Sequence, residues 1–372
     1  MKITIYNLHD LCEHNTLFLS RARRYFELNG HHVIDDSDQG DGVDMIFVGG
    51  CAVTDAMRQR CEENIRELAA SRNRARVVVF GCLAAFPENL LTGDATENRI
   101  ALIPVREGRA LDNIIDARIP FESVSVNHLT GHVPYQPRMG SDDAYVLIAQ
   151  GCVNDCSYCT IKKAKGAVTS RPEAAIVSEI RDLYDRGTRT VTLLADDCGS
   201  YGLDGATDLP SLLDRLNRTT PGMNYKIYAM FPGIFLKQAR RLEPFVAGRR
   251  IAYMCLPVQS AAPRILDLMN RRYDTGEVAE AIGRLKSLDP ELFVCSHFIY
   301  NFPTETPEEF EQSLNFARYF DHCVFIGYGE NSGTRAAAIF PKCDDRELQT
   351  KTRRLEGLVR EGRLTAFVVP RT

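Results

Sequence analysis

The residues of this chain best suited to chemistry are three cysteines in the run Cys152-Val-Asn-Asp-Cys156-Ser-Tyr-Cys159. Thiolates are soft donors that select iron–sulfur clusters or zinc, and a 4Fe-4S cubane ordinarily takes four of them. A local set of three therefore holds three irons and leaves the fourth open to another molecule. The competing readings are a zinc knuckle lacking a ligand and three unrelated core cysteines. Zinc sites usually carry paired Cys-x2-Cys and Cys/His elements, and no second pair lies nearby.

A second set stands in the first third of the chain. Cys12 follows the apolar run Lys2 to Leu8, Cys51 follows Asp44 to Gly50, and Cys82 follows Val77 to Gly81. Each run is succeeded by a polar helical stretch, the periodicity of a parallel sheet. In an open α/β sheet the carboxyl ends of the strands line one crevice, so these cysteines can converge as a second three-ligand cluster site. The alternative for each alone is a small buried hydrophobe at a strand end. Cys61 falls inside the helical stretch Asp55 to Ala70 and reads as packing, as do Cys198, Cys255, Cys295, Cys323 and Cys343, which lack ligand spacing. His9 and His14 flank Cys12 and read as hydrogen-bonding neighbours.

The elements that must position these residues divide the chain as 1–125, a flavodoxin-like parallel-sheet domain; 126–143, a linker; 144–340, a partial (β/α)6 barrel; and 341–372, a helical tail. The linker reading rests on Gly131, Pro134, Pro137 and Gly140. Beyond it six strands are predicted over 145–150, 190–195, 225–230, 251–258, 292–300 and 324–329. Helical patterns over 173–186, 208–218, 235–247, 263–288 and 306–319 separate them. Six β/α units are too few to close an eight-stranded barrel, which leaves an open one with its chemistry at the strands' carboxyl ends. Cys152 to Cys159 follow the first of these strands.

At 372 residues with 44% apolar and 25% charged content, the chain fits one or two globular domains. A net charge of -4 and a pI near 6.1 argue against broad attraction to nucleic acid or anionic membrane, while leaving room for a local basic patch. The opening Met-Lys-Ile-Thr-Ile-Tyr-Asn reads as a strand, not a signal peptide, and no uncharged apolar run has the length of a membrane span. The expected location is the cytoplasm. Twelve cysteines in a reducing compartment point to metal or catalytic use before disulfides.

With these residues in hand, the sequence resembles the radical S-adenosylmethionine (SAM) methylthiotransferase family along nearly its whole length. Cys12-Glu-His-Asn15, Cys51-Ala-Val-Thr-Asp-Ala-Met-Arg-Gln-Arg60 and Gly81-Cys82 match the family's auxiliary-cluster segments. Gly151-Cys152 to Cys159, Ser170-Arg171-Pro172, Tyr201-Gly202, Pro257-Val-Gln-Ser260, Met269-Asn-Arg-Arg-Tyr273, Phe302-Pro-Thr-Glu-Thr306 and Gly333-Thr-Arg-Ala-Ala337 follow in family order. The stretch Ala195 to Leu213 is most similar to the branch acting on threonylcarbamoyladenosine in tRNA.

The resemblance implies two 4Fe-4S clusters and SAM as cofactors. SAM occupies the open iron at Cys152, Cys156 and Cys159, and its reductive cleavage gives a 5'-deoxyadenosyl radical that abstracts hydrogen from an unactivated C–H bond. The cluster at Cys12, Cys51 and Cys82 delivers sulfur, bare or as methylthio. Tyr158, Asp197, Lys226, Gln259 and Ser260 are the expected SAM contacts, each also readable as a capping or loop residue. Lys162, Lys163 and Lys165 with Arg171 form a candidate phosphate patch, with a solvated loop as the competing reading. The implied partners are an electron donor such as flavodoxin or ferredoxin, and no membrane.

The chain also departs from the family pattern. Only 39 residues follow Gly333, those from Asp344 to Arg363 reading as a charged helix, where the family carries a β-barrel RNA-binding module. The usual Gly-Phe-Pro-Gly-Glu-Thr reads Asn301-Phe-Pro-Thr-Glu-Thr306, the usual Asn-Thr-Cys reads Gly49-Gly-Cys51, and Leu11 replaces a frequent glycine. The expected substrate is accordingly a small molecule, nucleoside or peptide, with a modified tRNA adenosine as the alternative. Two other classes compete. One is a cobalamin-dependent radical SAM methylase, whose Asp-x-His-x-x-Gly signature is missing; the other is a non-enzymatic zinc or RNA-binding protein.

Overall fold

Strand Met45–Gly50 is buried along its whole length, as a parallel strand covered on both faces must be. The computed structural model describes residues 1–9, 12–34, 42–71, 74–89, 99–129, 138–139 and 143–370. Two compact units result: Met1–Tyr145 with Thr160–Gly166, and Val146–Cys159 with Ala167–Thr372. The residues expected as a linker fall partly outside the described set, including Gly131, Pro134, Pro137 and Gly140; the described ones pack in the first unit. Among the described residues no helix is long and apolar enough to cross a membrane.

The first unit runs β1 (Lys2–Asn7), α1 (Glu13–Leu28), β2 (His32–Ile34), β3 (Met45–Gly50), α2 (Asp55–Ser71), β4 (Arg76–Gly81), β5 (Ile100–Ile103) and α3 (Ala110–Ile115). To these is added α4 (Ile161–Lys165). Its strands pair in parallel in the order β2-β1-β3-β4-β5. That is the doubly wound flavodoxin-like order, whose ligand crevice opens where the order reverses, beside β1 and β3. Strand alternation splits the core in two. Phe47 and Phe80 stack at 5.7 Å and meet Phe26, Phe18 and Phe121 on one face. Ile46, Val48, Val77 and Val79 pack with Met57, Cys61 and Ile65 of α2 and Ala164 of α4 on the other.

The second unit runs β6 (Ala144–Leu147), β7 (Ala149–Gln150), β8 (Thr169–Ser170), α5 (Glu173–Asp185), β9 (Thr190–Leu194), α6 (Leu209–Thr219), β10 (Asn224–Tyr228) and α7 (Pro232–Ala247). It continues with β11 (Ile251–Cys255), α8 (Pro263–Leu268), α9 (Thr275–Leu288), β12 (Phe293–Tyr300), α10 (Pro307–Phe316), β13 (His322–Gly327), α11 (Asp345–Arg360) and β14 (Ala366–Val369). The sheet order is β14-β13-β12-β11-β10-β9-β6, with β9 through β14 parallel. Local chemistry starts the helices where the sequence provides caps. Asp208 accepts the Ser211 N–H before α6, and reciprocal capping boxes pair Thr306 with Glu309 and Asp344 with Glu347.

Three expectations need correction here. The main sheet has seven strands where six are expected, because the tail holds β14 after its helix, and β7 and β8 form a separate two-stranded sheet. The single helix expected over 263–288 is two, α8 and α9, broken at Asn270, which takes a left-handed backbone (φ 56°). The second unit also extends beyond residue 340 to take in the tail. β14 requires a bare backbone on its neighbour: a Cβ on Gly327 would stand 1.7 Å from the Pro370 carbonyl oxygen. Gly327→Ala is therefore expected to displace β14 at a loss of about 1–3 kcal/mol. Denaturant unfolding, and lost hydrogen-exchange protection at Ala366–Val369 with protection elsewhere kept, checks this.

Candidate metal centres

In the first unit the cysteines sit where the strands end. Cys12 is the N-cap of α1 in extended backbone, where the helix's free N–H groups favour negative charge. Cys51 leaves β3, and Cys82 leaves β4 and opens a 3-10 turn at Leu83–Ala85. Burial pushes the Cys12 thiol up to about 12, against the Lys165 charge and the Asn15 backbone N–H. Burial also raises Cys51 well above the ordinary thiol range, and Cys12 and Cys82 add to it. The three sulfurs thus sense one another in one desolvated pocket that Lys165 and Glu13 also reach. Without a cation such thiols stay protonated; a cluster binding all three as thiolates removes that cost.

Cys61 is fully buried behind this pocket, its sulfur accepting the Cys51 N–H. His14 is buried in the first turn of α1, and the His9 N–H donates to Asn7 Oδ1 at 3.1 Å. The residues of the candidate phosphate patch differ in exposure, with Lys162 and Lys163 on the surface and Lys165 turned inward. Lys165 is 3% exposed, Lys163 pairs with Glu88 at 3.7 Å and lies over Phe86, and Arg171 in the second unit pairs with Glu179 at 2.7 Å. Helix α4 is amphipathic over a single turn, too short for the charge pattern to betray which lysine turns inward.

In the second unit the loop carrying Cys152, Cys156 and Cys159 is pinned at several points. The Gly151 N–H donates to Asp196 Oδ2 at 2.9 Å, tying the loop to the end of β9. The Asn154 N–H and Nδ2 approach Cys152 Sγ at 3.4 and 3.3 Å, and Nδ2 also donates to Asp197 Oδ2 at 2.8 Å. Ser157 N–H and Oγ donate to the carbonyls of Met269 (2.9 Å) and Leu268 (2.7 Å). Asn270 Nδ2 donates to the Asp155 carbonyl at 2.6 Å, and Arg335 Nη1 to Asp155 Oδ2 at 2.7 Å. These partners lie 115 and 180 residues from Asp155. The segments Met269–Tyr273 and Gly333–Ala337, noted in the sequence without a role, are thus the scaffold of this loop.

The expected SAM contacts divide by what the fold already asks of them. Gln259 has a left-handed backbone (φ 74°) and a buried Oε1 without a hydrogen-bond partner among the described residues. Strain and an orphaned acceptor in one residue mark a site awaiting a donor. Lys226 lies level with Thr192 and Tyr253 on neighbouring strands, and the half-buried Tyr158 ring stands edge-on to Phe302. Asp197 is otherwise engaged. Burial raises its carboxyl pKa, and its oxygens take bonds from Gly199 N, Ser200 Oγ, Phe231 N and Asn154 Nδ2. Those four donors fill a carboxylate's acceptor sites, so Asp197 organises the loop. Ser260 Oγ is fully buried and accepts the Ala262 N–H at 3.2 Å.

Among the described residues no three His, Cys, Asp or Glu converge tightly enough for a single metal ion. A cubane instead spreads its thiolates over separate iron corners and does not require the tight convergence of a single-ion site. The departures at Asn301 and Thr304 also acquire a physical meaning: both positions have left-handed backbones (φ 61° and 69°), the conformation glycine takes without strain. Asparagine tolerates it; β-branched Thr304 is held there by Arg264, which donates to its Oγ1 at 2.9 Å and its carbonyl at 2.7 Å.

Residues 146–317 match the family described as the Radical SAM superfamily, and residues 9–102 match Uncharacterized protein family UPF0004. The chain is 32% identical over 325 residues to ribosomal protein uS12 methylthiotransferase RimO of Moorella thermoacetica, covering 84% of this chain and 73% of the relative. It is 30% identical over 337 residues to tRNA-2-methylthio-N(6)-dimethylallyladenosine synthase of Oleidesulfovibrio alaskensis, covering 85% and 71%. The radical SAM methyltransferase TsrM of Kitasatospora setae, solved with cobalamin and a [4Fe-4S] cluster, superposes with a TM-score of 0.59 at 15% identity, over 87% of this chain and 74% of that one. At that identity the likeness is one of fold.

Proposed function

The chain belongs to the radical SAM methylthiotransferase family, and we propose that it places a methylthio group on an unactivated carbon of a macromolecule, using clusters held by Cys152, Cys156 and Cys159 and by Cys12, Cys51 and Cys82. The observation that carries this reading is that each of the two units holds three cysteines just past strand ends, Cys12, Cys51 and Cys82 after β1, β3 and β4 and Cys152, Cys156 and Cys159 on the one loop after β7, each set one ligand short of a complete cubane. When bound, the clusters and SAM supply reductive carbon–sulfur cleavage at one centre and the transferred sulfur at the other. The protein's part is placement. Asp196, Asn154, Asn270 and Arg335 fix the loop that presents Cys152, Cys156 and Cys159. Gln259 offers its free oxygen to a SAM donor, and the extended backbone at Cys12 aims its sulfur into the pocket with Cys51 and Cys82. A low-potential electron donor completes the system.

For the substrate, the two relatives named above act on macromolecules, a ribosomal protein and a tRNA. A tRNA nucleoside is the reading favoured by charge. A groove of about 970 Å³ between α6 and α7 is lined by Arg215, Arg218, Arg240, Arg241 and Arg250. Arg215 pairs with Glu173, Arg218 with Asp214, Arg240 with Glu243 and Arg241 with Asp208; each arginine is more than half exposed, and ion pairs near the surface are worth little in water. Phosphates can replace these carboxylates bidentately. A protein side chain is the second reading, favoured by the identity to the uS12 enzyme. Replacing Arg215, Arg218, Arg240 and Arg241 together by glutamine should weaken tRNA binding evenly across sequences and flatten its salt dependence by about 3 in log–log slope. An unchanged slope, with methylthiolation of uS12 but not of tRNA, favours the protein substrate.

A further inference from the structure

Arg271 carries a charge that no carboxylate answers among the described residues. It lies in the break between α8 and α9 with only 4% of its surface exposed. Nη1 donates to Cys156 Sγ at 3.3 Å and to the Tyr158 hydroxyl at 3.3 Å; Nε donates to the Tyr273 hydroxyl at 3.4 Å, and Nη2 to the Pro257 carbonyl. The guanidinium lies over the Phe231 ring at 4.5 Å and the Tyr273 ring at 5.7 Å. Burial opposes its charge, and the groups acting against burial are Tyr158, Tyr273 and Cys156.

Burying an ion without an opposite charge is among the costliest arrangements in a fold. Aromatic faces and neutral oxygens offset only part of it. Among the described groups in contact with it, Cys156 is the one that becomes anionic on metal loading. We infer that Arg271 is a positioning residue that serves as the fixed counter-charge of the cluster on Cys152, Cys156 and Cys159, and that through Cys156 Sγ it makes this cluster easier to reduce. Hydrogen bonds and positive charge at cluster sulfurs raise reduction potentials in general. The chain is built to hold the contact. Left-handed Asn270 turns α8 out of line, binds the Asp155 carbonyl at 2.6 Å, and so delivers Arg271 to the loop it contacts.

The inference rests on the proposed function only in requiring a cluster on these three cysteines. The test uses the full chain with Cys12, Cys51 and Cys82 replaced by alanine, which isolates that cluster, and follows its reduction by electron paramagnetic resonance during a redox titration without SAM. At the potential where half of the parent cluster is reduced, Arg271→Gln should show a roughly tenfold lower reduced-to-oxidised ratio, as expected for loss of a charge-assisted bond. Arg271→Lys, which keeps the charge and loses the fork, should fall between. Equal midpoints for all three proteins overturn the inference. Should the glutamine variant fail to take up iron, the lysine variant decides, a midpoint equal to the parent's again overturning it. A parent that binds no cluster overturns the functional reading instead, since iron content is measured first.

Discussion

Chain in which Cys152, Cys156 and Cys159 are all alanine should retain about four irons after reconstitution and release no 5'-deoxyadenosine from SAM under reduction. Chain in which Cys12, Cys51 and Cys82 are alanine should also retain about four irons, yet still cleave SAM and transfer no sulfur. The two losses differ because thiolate is the ligand form and alanine supplies none, while each set lies in its own compact unit with its own core. Removing one set therefore leaves the other folded. Iron analysis, product chromatography and a search for methylthio products check the pair together. Retention of two full clusters by the second variant would show that other residues hold the auxiliary metal.

Lys351→Met should be the most destabilising single change in the second unit. The Lys351 Nζ meets Glu305 Oε2 at 2.7 Å, and the two side chains are only 8% and 1% exposed. The Glu305 carboxylate also takes the Asn301 N–H at 2.7 Å, so the pair ties α11 to the segment Asn301–Thr306. Removing one partner of a buried pair strands the other charge, at about 3–5 kcal/mol. For a unit of this size that lowers the melting temperature by roughly 10 °C. Burial raises the Glu305 carboxyl pKa, while Lys351 pulls it down. Without Lys351 the folded-state value rises further, so the folded variant takes up a proton. Its deficit should be smallest below the ordinary carboxylate range and should grow as pH climbs through the raised value. The double variant Lys351→Met with Glu305→Gln should recover most of the loss. A deficit independent of pH would mean that packing, not charge, is at stake.

The sequence carried the chemistry further than the architecture. Cys12, Cys51 and Cys82 could be placed at strand ends because β1, β3 and β4 are short runs rich in apolar residues, the last two ending in a glycine directly before the cysteine. β2 spans three residues and β14 four, both too short to show a period, and β14 exists only because β13 offers an edge and Gly327 leaves room. The helix break at Asn270 was hidden because helical spacing continues on either side, while the left-handed turn that interrupts it depends on a carbonyl 115 residues away. Arg271 was invisible for the same reason. A charged residue in a polar stretch reads as solvent-facing until the fold buries it, as it does Lys165. The substitutions at Asn301 and Thr304 could be read as departures, but the left-handed backbone that gives them meaning is a property of the folded chain.

Whether one chain holds two cubanes is tested by iron, acid-labile sulfide and Mössbauer analysis of the anaerobically reconstituted unmodified protein. About eight irons and eight sulfides per chain are expected, all in [4Fe-4S] form, without cobalt absorption. About four irons per chain at saturation, cobalt in place of the second cluster, or zinc alone would contradict that expectation.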